Sequence, residues 1–167
     1  MSQQVEDPFN WKGETWVFLS AENVYSIFEP NKFGLNPEWI DTACYKGFVI
    51  EFSVVDDRLF LQRLIINTED DKYPPINDVL AQYARKDKRD GWIDGYHVYD
   101  NINLFLEYTG TIIIGKDFKE DRYGGSSFTG PYSYYTTFDL KFENGILIDY
   151  EETSGKYKGT VQQCVRT

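Results

Sequence analysis

The chain is predicted to be mainly β (or α+β): a curved antiparallel sheet, sandwich or partly open barrel of about six to eight strands with about one helix. Three observations predict it. Phe, Tyr and Trp, which suit a pleated and half-buried surface, supply 17% of the 167 residues. Apolar residues alternate with period two in two well-separated stretches, and only one segment carries a helical spacing. Gly, Pro, Asn and Asp punctuate the strand-like runs at short intervals.

The elements follow in order. Residues 13–19 hold Trp16, Val17, Phe18 and Leu19, a short β-prone run after a turn-like start. Residues 20–46 are irregular, broken by Pro30, Gly34 and Pro37, with Asn36, Pro37 and Glu38 suited to capping one helical turn. Residues 47–67 form the first clear hairpin. With a two-residue turn at Asp56 and Asp57, Val54 faces Leu59, Phe52 faces Leu61 and Phe48 faces Ile65. Arg63 opposite Ile50 is the one misfit in that register.

The helix is expected after Pro74 and Pro75, capped by Asn77 or Asp78, with Val79, Leu80, Tyr83 and Ala84 on one side. It would run into the basic cluster 85–89, read as a solvated helix end, and stop at Gly91. Beyond Tyr96 the pattern returns to strands: 104–108 and 111–114 flank a turn at Thr109 and Gly110. Ile112, Ile113 and Ile114 suggest a strand buried on both faces. Residues 115–131, with Gly124, Gly125, Ser126 and Ser127, read as a loop of the kind that often carries function. In the last hairpin a three-residue loop, Glu143 to Gly145, would pair Phe142 with Ile146, Leu140 with Ile148 and Phe138 with Tyr150, with Gly145 as a bulge. Residues 160–166 are available as one closing strand. A single domain, 1–167, with a disordered first few residues, accounts for the length.

Composition excludes more functions than it assigns. Seventeen basic against 27 acidic residues leave a formal charge of −10, which disfavours nucleic acid and anionic membrane surfaces and favours a basic partner. No apolar run approaches the roughly 20 residues that cross a bilayer. The N-terminus lacks the basic and apolar regions of a signal peptide, and Cys44 and Cys164 are too few for a disulfide framework. A cytoplasmic protein is expected.

His97 is the only histidine, so multi-histidine metal sites are excluded, and nothing orients it towards Cys44 as a nucleophile pair. Phosphate-binding glycine motifs and G-x-S-x-G do not occur. No catalytic residue, metal ligand or cofactor is therefore assigned. Binding candidates are the acidic turn Glu69, Asp70 and Asp71, and the aromatic residues Trp92, Tyr96, Tyr99, Tyr132, Tyr134 and Tyr135. Tyrosine and tryptophan combine contact area with a polar handle, which suits binding surfaces as well as sheet cores.

Three stretches (34–37, 42–48, and 108–110 with 142–145) resemble a group of small uncharacterised bacterial proteins. The resemblance implies a bacterial origin and transfers no functional residue.

The leading functional expectation is a non-enzymatic interaction protein, immunity- or inhibitor-like, that sets an acidic, tyrosine-rich surface against a basic partner. The alternative is a small-molecule carrier with an aromatic-lined barrel pocket of roughly 300 Å³ or more. Phe9, Gly13 and Trp16 resemble the opening of the lipocalin carriers, although the spacing departs from G-x-W. An enzyme working through carboxylates and tyrosines is the third class.

Overall fold

The computed structural model describes residues 6–38, 47–84, 95–119 and 130–157. Among them are ten strands, more than the six to eight expected: β1 (Asp7–Trp11), β2 (Glu14–Ala21), β3 (Phe48–Val55), β4 (Arg58–Ile66), β5 (Gln82–Tyr83), β6 (His97–Tyr99), β7 (Leu104–Phe105), β8 (Gly110–Phe118), β9 (Tyr134–Glu143) and β10 (Ile146–Glu152). The surplus comes from the very short β5, β6 and β7, which lack a pattern long enough to read.

Seven strands form a ring in the order β1-β2-β8-β9-β10-β4-β3, and β3 returns to β1. All neighbours in the ring are antiparallel except β1 and β3, which run parallel with Phe9 beside Phe52. The seam is narrow: β10 meets β4 through one residue pair, Ile146 and Arg58. Two flanking bonds reinforce it, Leu59 N–H to Gly145 O at 2.9 Å and Leu147 N–H to Asp57 O at 2.7 Å. Past the seam, the same edge of β4 takes β7 and then β6.

The ring interior is the core. Phe9 and Trp11 of β1, Ile50 and Phe52 of β3, Leu59 and Leu61 of β4, Ile112 and Ile114 of β8, and Leu140 and Phe142 of β9 are all buried there. Val49, Ile65, Tyr96 and Val98 make a second, smaller cluster. Ile113, between two fully buried neighbours, is only half buried, so β8 is less enclosed than its apolar run suggested.

The β3–β4 hairpin turns at Asp56 and Asp57, both with positive φ, and pairs Val54 with Leu59 and Phe52 with Leu61 as expected. Between those pairs and the next the register shifts. Gln62 is the extra residue, Arg63 moves opposite Glu51, and Ile50 faces Leu64. The bulge thus removes the Arg63–Ile50 misfit and puts Phe48 beside Ile66 rather than Ile65.

Four other expectations are corrected. Through Ala84, where the described residues of this segment end, the chain after Pro75 is not a helix. Asn77 and Asp78 both adopt positive φ and close a tight turn in which Ile76 and Val79 exchange backbone bonds, and Gln82 and Tyr83 then add to the edge of β6. Leu80 and Tyr83 are exposed, so only Val79 and Ala84 of the supposed apolar side pack against the core clusters. Asn36, Pro37 and Glu38 make no helical turn either, because Pro37 bridges Thr68 and Glu38 N–H donates to Asn67 O. Residues 104–108 do not pair with 111–114: β7 joins β4, whereas β8 joins β2 and β9.

In the last hairpin the loop is the two-residue Asn144 and Gly145, with φ of 50° and 83°. Glu143 therefore faces Ile146, and Leu147 takes the buried position opposite Phe142. A bulge at Ile148 then restores Tyr150 to the interior side opposite Leu140. The basic cluster 85–89, the glycine-serine stretch 124–127 and the proposed strand 160–166 lie outside the described residues.

Candidate functional site

The aromatic candidates separate once their surroundings are known. Tyr96 and Tyr99 are buried, the first in the small cluster and the second in the main core with its hydroxyl donating to Pro74 O at 2.7 Å. Burial pushes the Tyr99 hydroxyl up to about 12, with a smaller contribution from Tyr73. Tyr132 and Tyr134 are buried as well; Tyr134 donates to Glu6 Oε1 at 3.2 Å, and burial followed by the Glu6 charge raises its pKa. Of the described aromatic candidates only Tyr135 is exposed, at 65%, with Lys119 Nζ over its ring. Trp92 lies outside the described residues. The expected tyrosine-rich surface is thus corrected: four of its members are spent on packing.

The acidic turn is solvent-facing. Glu69 is tethered by Asn36 Nδ2 at 3.1 Å and by its own N–H to Asn36 O, while Asp70 and Asp71 are exposed. Asp71 lies near the only imidazole. His97 stacks on Tyr73 at 3.7 Å, and its Nδ1 lies 2.7 Å from Asn67 Oδ1. Asn67 Nδ2 donates to Gly95 O, which fixes the amide so that Oδ1 is the acceptor and His97 Nδ1 carries the proton. Burial lowers the His97 pKa, and Asp71 partly offsets it. This arrangement is a hydrogen-bonded structural histidine on a strand. Among the described residues no group of three His, Cys, Asp or Glu side chains could hold a metal ion.

An apolar concavity lies elsewhere, at one mouth of the ring. It has a volume of about 490 Å³ and is walled by Phe18 of β2, Phe48, Ile50 and Phe52 of β3, and Val24, Ile27 and Phe28 from the connection between β2 and β3. Three features of the chain build it. The parallel β1–β3 pair sets Phe52 against Phe9 and Phe18, with ring centroids 6.0 and 5.4 Å away. Because β1 lies between β2 and β3, the chain must pass over the end of β1 to join them, and this crossover lays Val24–Ser26, a 3-10 turn, against the mouth. Phe28 then packs between Phe33 and Phe48, at 5.2 and 6.4 Å, holding the crossover down.

Asp7 is the acidic member of the lining. It starts β1, alternates inward with Phe9 and Trp11, and is 8% exposed. Its Oδ1 accepts the Ile50 N–H at 3.0 Å, so the carboxylate ties the first residue of β1 to β3 at the pocket wall. Tyr25, 78% exposed, stands at the rim. A second concavity of about 480 Å³, between β4, β5 and β6, is more polar and includes the Arg63–Asp100 pair at 3.2 Å.

The alternation in the sequence put Phe48, Ile50 and Phe52 on one face of a strand but did not bring Phe18 to them. It left Phe28 in an irregular stretch, and Asp7 belonged to no element it assigned. The only local signal was the inward alternation of Asp7, Phe9 and Trp11; the rest depends on a parallel contact between β1 and β3. Neither family models, curated proteins nor solved structures offer a match to this chain. No helix among the described residues is long and apolar enough to cross a membrane.

Proposed function

We propose that this chain is a binding protein that holds a small, largely apolar molecule at the mouth of its β-ring. The observation that carries the reading is the phenylalanine-walled cavity of about 490 Å³, which falls within the roughly 300–1,000 Å³ range of small-molecule sites. Its walls come from rigid strands on one side and a packed crossover on the other, so the apolar surface is presented in an organised form. The carrier reading gains from this geometry. The interaction-protein reading loses Tyr96, Tyr99, Tyr132 and Tyr134 to the core and keeps, among the described candidates, only the acidic turn and Tyr135.

The test is binding of a neutral fluorescent probe, N-phenyl-1-naphthylamine, to the native chain and to Val24→Trp, which places an indole in the mouth. Saturable one-to-one binding by the native chain, weakened about tenfold or more in Val24→Trp, supports the reading. Binding that is absent, or unchanged by the substitution when circular dichroism shows the fold intact, removes it.

A further inference from the structure

We infer that Asn144 and Gly145 form a latent self-modification site, at which the chain deamidates only when the β9–β10 turn lifts from the ring seam, and that the isoaspartyl product cannot seat the turn again. This is the one Asn-Gly step in the sequence. The reaction needs water and no other co-reactant. The Gly145 backbone nitrogen, having lost its proton to solvent, attacks the Asn144 side-chain carbonyl carbon. Ammonia leaves and a five-membered imide forms. Water then opens the imide at one carbonyl or the other, giving an aspartyl or an isoaspartyl link. Glycine as the second residue favours the attack, because no side chain shields its nitrogen and its backbone turns freely.

In the closed ring the nucleophile is held. Gly145 is buried, its N–H donates to Tyr108 O at 2.8 Å, and its carbonyl accepts Leu59 N–H at 2.9 Å. The Asn144 N–H donates to Thr109 Oγ1 at 2.9 Å. Asn144 is exposed, so solvent reaches its side chain, and the engaged Gly145 nitrogen is what withholds the reaction. Deamidation therefore runs at the rate of the unfolded chain multiplied by the fraction of time these bonds are open. Its consequence is directional. An isoaspartyl link routes the main chain through the side-chain carbon and lengthens a two-residue turn by one methylene. Gly145 then loses the placement that sets its N–H on Tyr108 O and its carbonyl on Leu59 N–H together. The second of these bonds flanks the single ladder pair of the seam, Ile146 and Arg58, so the modified chain stays loosened there.

The experiment follows Asn144 by peptide mass spectrometry, with fragmentation that separates isoaspartyl from aspartyl links, during incubation at mildly alkaline pH. Three samples are compared: the native chain, the same chain unfolded in guanidinium chloride, and Thr109→Val, which keeps the branched shape and removes the hydroxyl. Deamidation should be about a hundredfold or more slower in the native chain than in the unfolded one. Thr109→Val should react about threefold to tenfold faster than the native chain. The isoaspartyl chain, refolded and purified, should have a urea midpoint lower by about 1 M, the loss of two backbone bonds. A native rate within about threefold of the unfolded rate overturns the inference, because the turn then does not hold the nitrogen. So does an isoaspartyl chain that keeps the midpoint of the unmodified one, or a Thr109→Val chain, shown to be folded by circular dichroism, that reacts at the native rate. If Thr109→Val does not fold, the ratio of native to unfolded rates and the midpoint of the isoaspartyl chain decide.

Discussion

Gly145 is where the ring is most vulnerable to a single methyl group. It occupies the second position of the β9–β10 turn with φ of 83°, and its backbone bonds on both sides: its N–H donates to Tyr108 O at 2.8 Å and its carbonyl accepts Leu59 N–H at 2.9 Å. A Cβ at this position would collide with the Leu106 carbonyl oxygen and the Phe105 ring. Gly145→Ala therefore carries two costs. The left-handed conformation contributes about 1 kcal/mol. Moving the turn off Leu106 sacrifices both backbone bonds of Gly145, at about 1 kcal/mol each. The total is about 3 kcal/mol, or a urea midpoint lowered by roughly 1.5 M for a slope near 2 kcal/mol/M.

The control is Gly13→Ala. Gly13 sits in the β1–β2 turn with φ of 74°, but a Cβ there meets nothing within 4 Å, so only the conformational cost of about 1 kcal/mol applies. Paired urea titrations of the two variants measure the difference. If Gly145→Ala and Gly13→Ala agree within about 0.5 kcal/mol, the close approach at the seam is not a constraint on the fold and the closure described above is wrong.

Two pH dependences follow from the buried rings. His97 is held below its ordinary pKa of 6.5, so the unfolded chain binds its proton first as pH falls. Stability should decline from about pH 6.5 downward to the folded pKa, and His97→Gln should flatten that part of a plot of urea midpoint against pH. Tyr99 and Tyr108 are both pushed up to about 12 by burial, with Tyr73 and Glu22 as lesser causes. Their ionisation should appear above the ordinary value of 10 in a titration at 295 nm, and stability should fall as pH rises from 10 to about 12; Tyr108 titrating near 10 would contradict its burial.

How far the fold could be read depended on how local its determinants were. In the β3–β4 hairpin, the pairs nearest the turn came straight from the alternation of Phe52, Val54, Leu59 and Leu61. The misfit of Arg63 with Ile50 was itself the trace of the bulge at Gln62, since a one-residue insertion is the cheapest way to move a charge off an apolar partner. In β10 the same alternation misled. Ile146, Ile148 and Tyr150 matched the β9 set in sequence, yet the Asn-Gly turn prevailed and Leu147 took the buried place, leaving Ile146 and Ile148 substantially exposed.

The false helix at Val79 to Ala84 shows tertiary pairing outweighing local spacing, because β6 offered an edge that an isolated turn of helix could not match. The pocket was least legible of all. Its walls come from β2, β3 and the crossover, with Asp7 of β1 among them, and only the parallel β1–β3 contact assembles them.

The narrow seam has a kinetic consequence. Ile146 and Arg58 lie roughly 90 residues apart, so closing the ring requires a large loss of chain entropy for a single ladder pair. Until that pair forms, β10 is a strand with an open side, and beyond the seam no described strand pairs with that side. Asp149, Glu151 and Glu152 stand along that stretch, and charges on an edge discourage it from templating a neighbouring chain. Part of the chain's acidity therefore acts during folding, as protection against aggregation while the ring is still open.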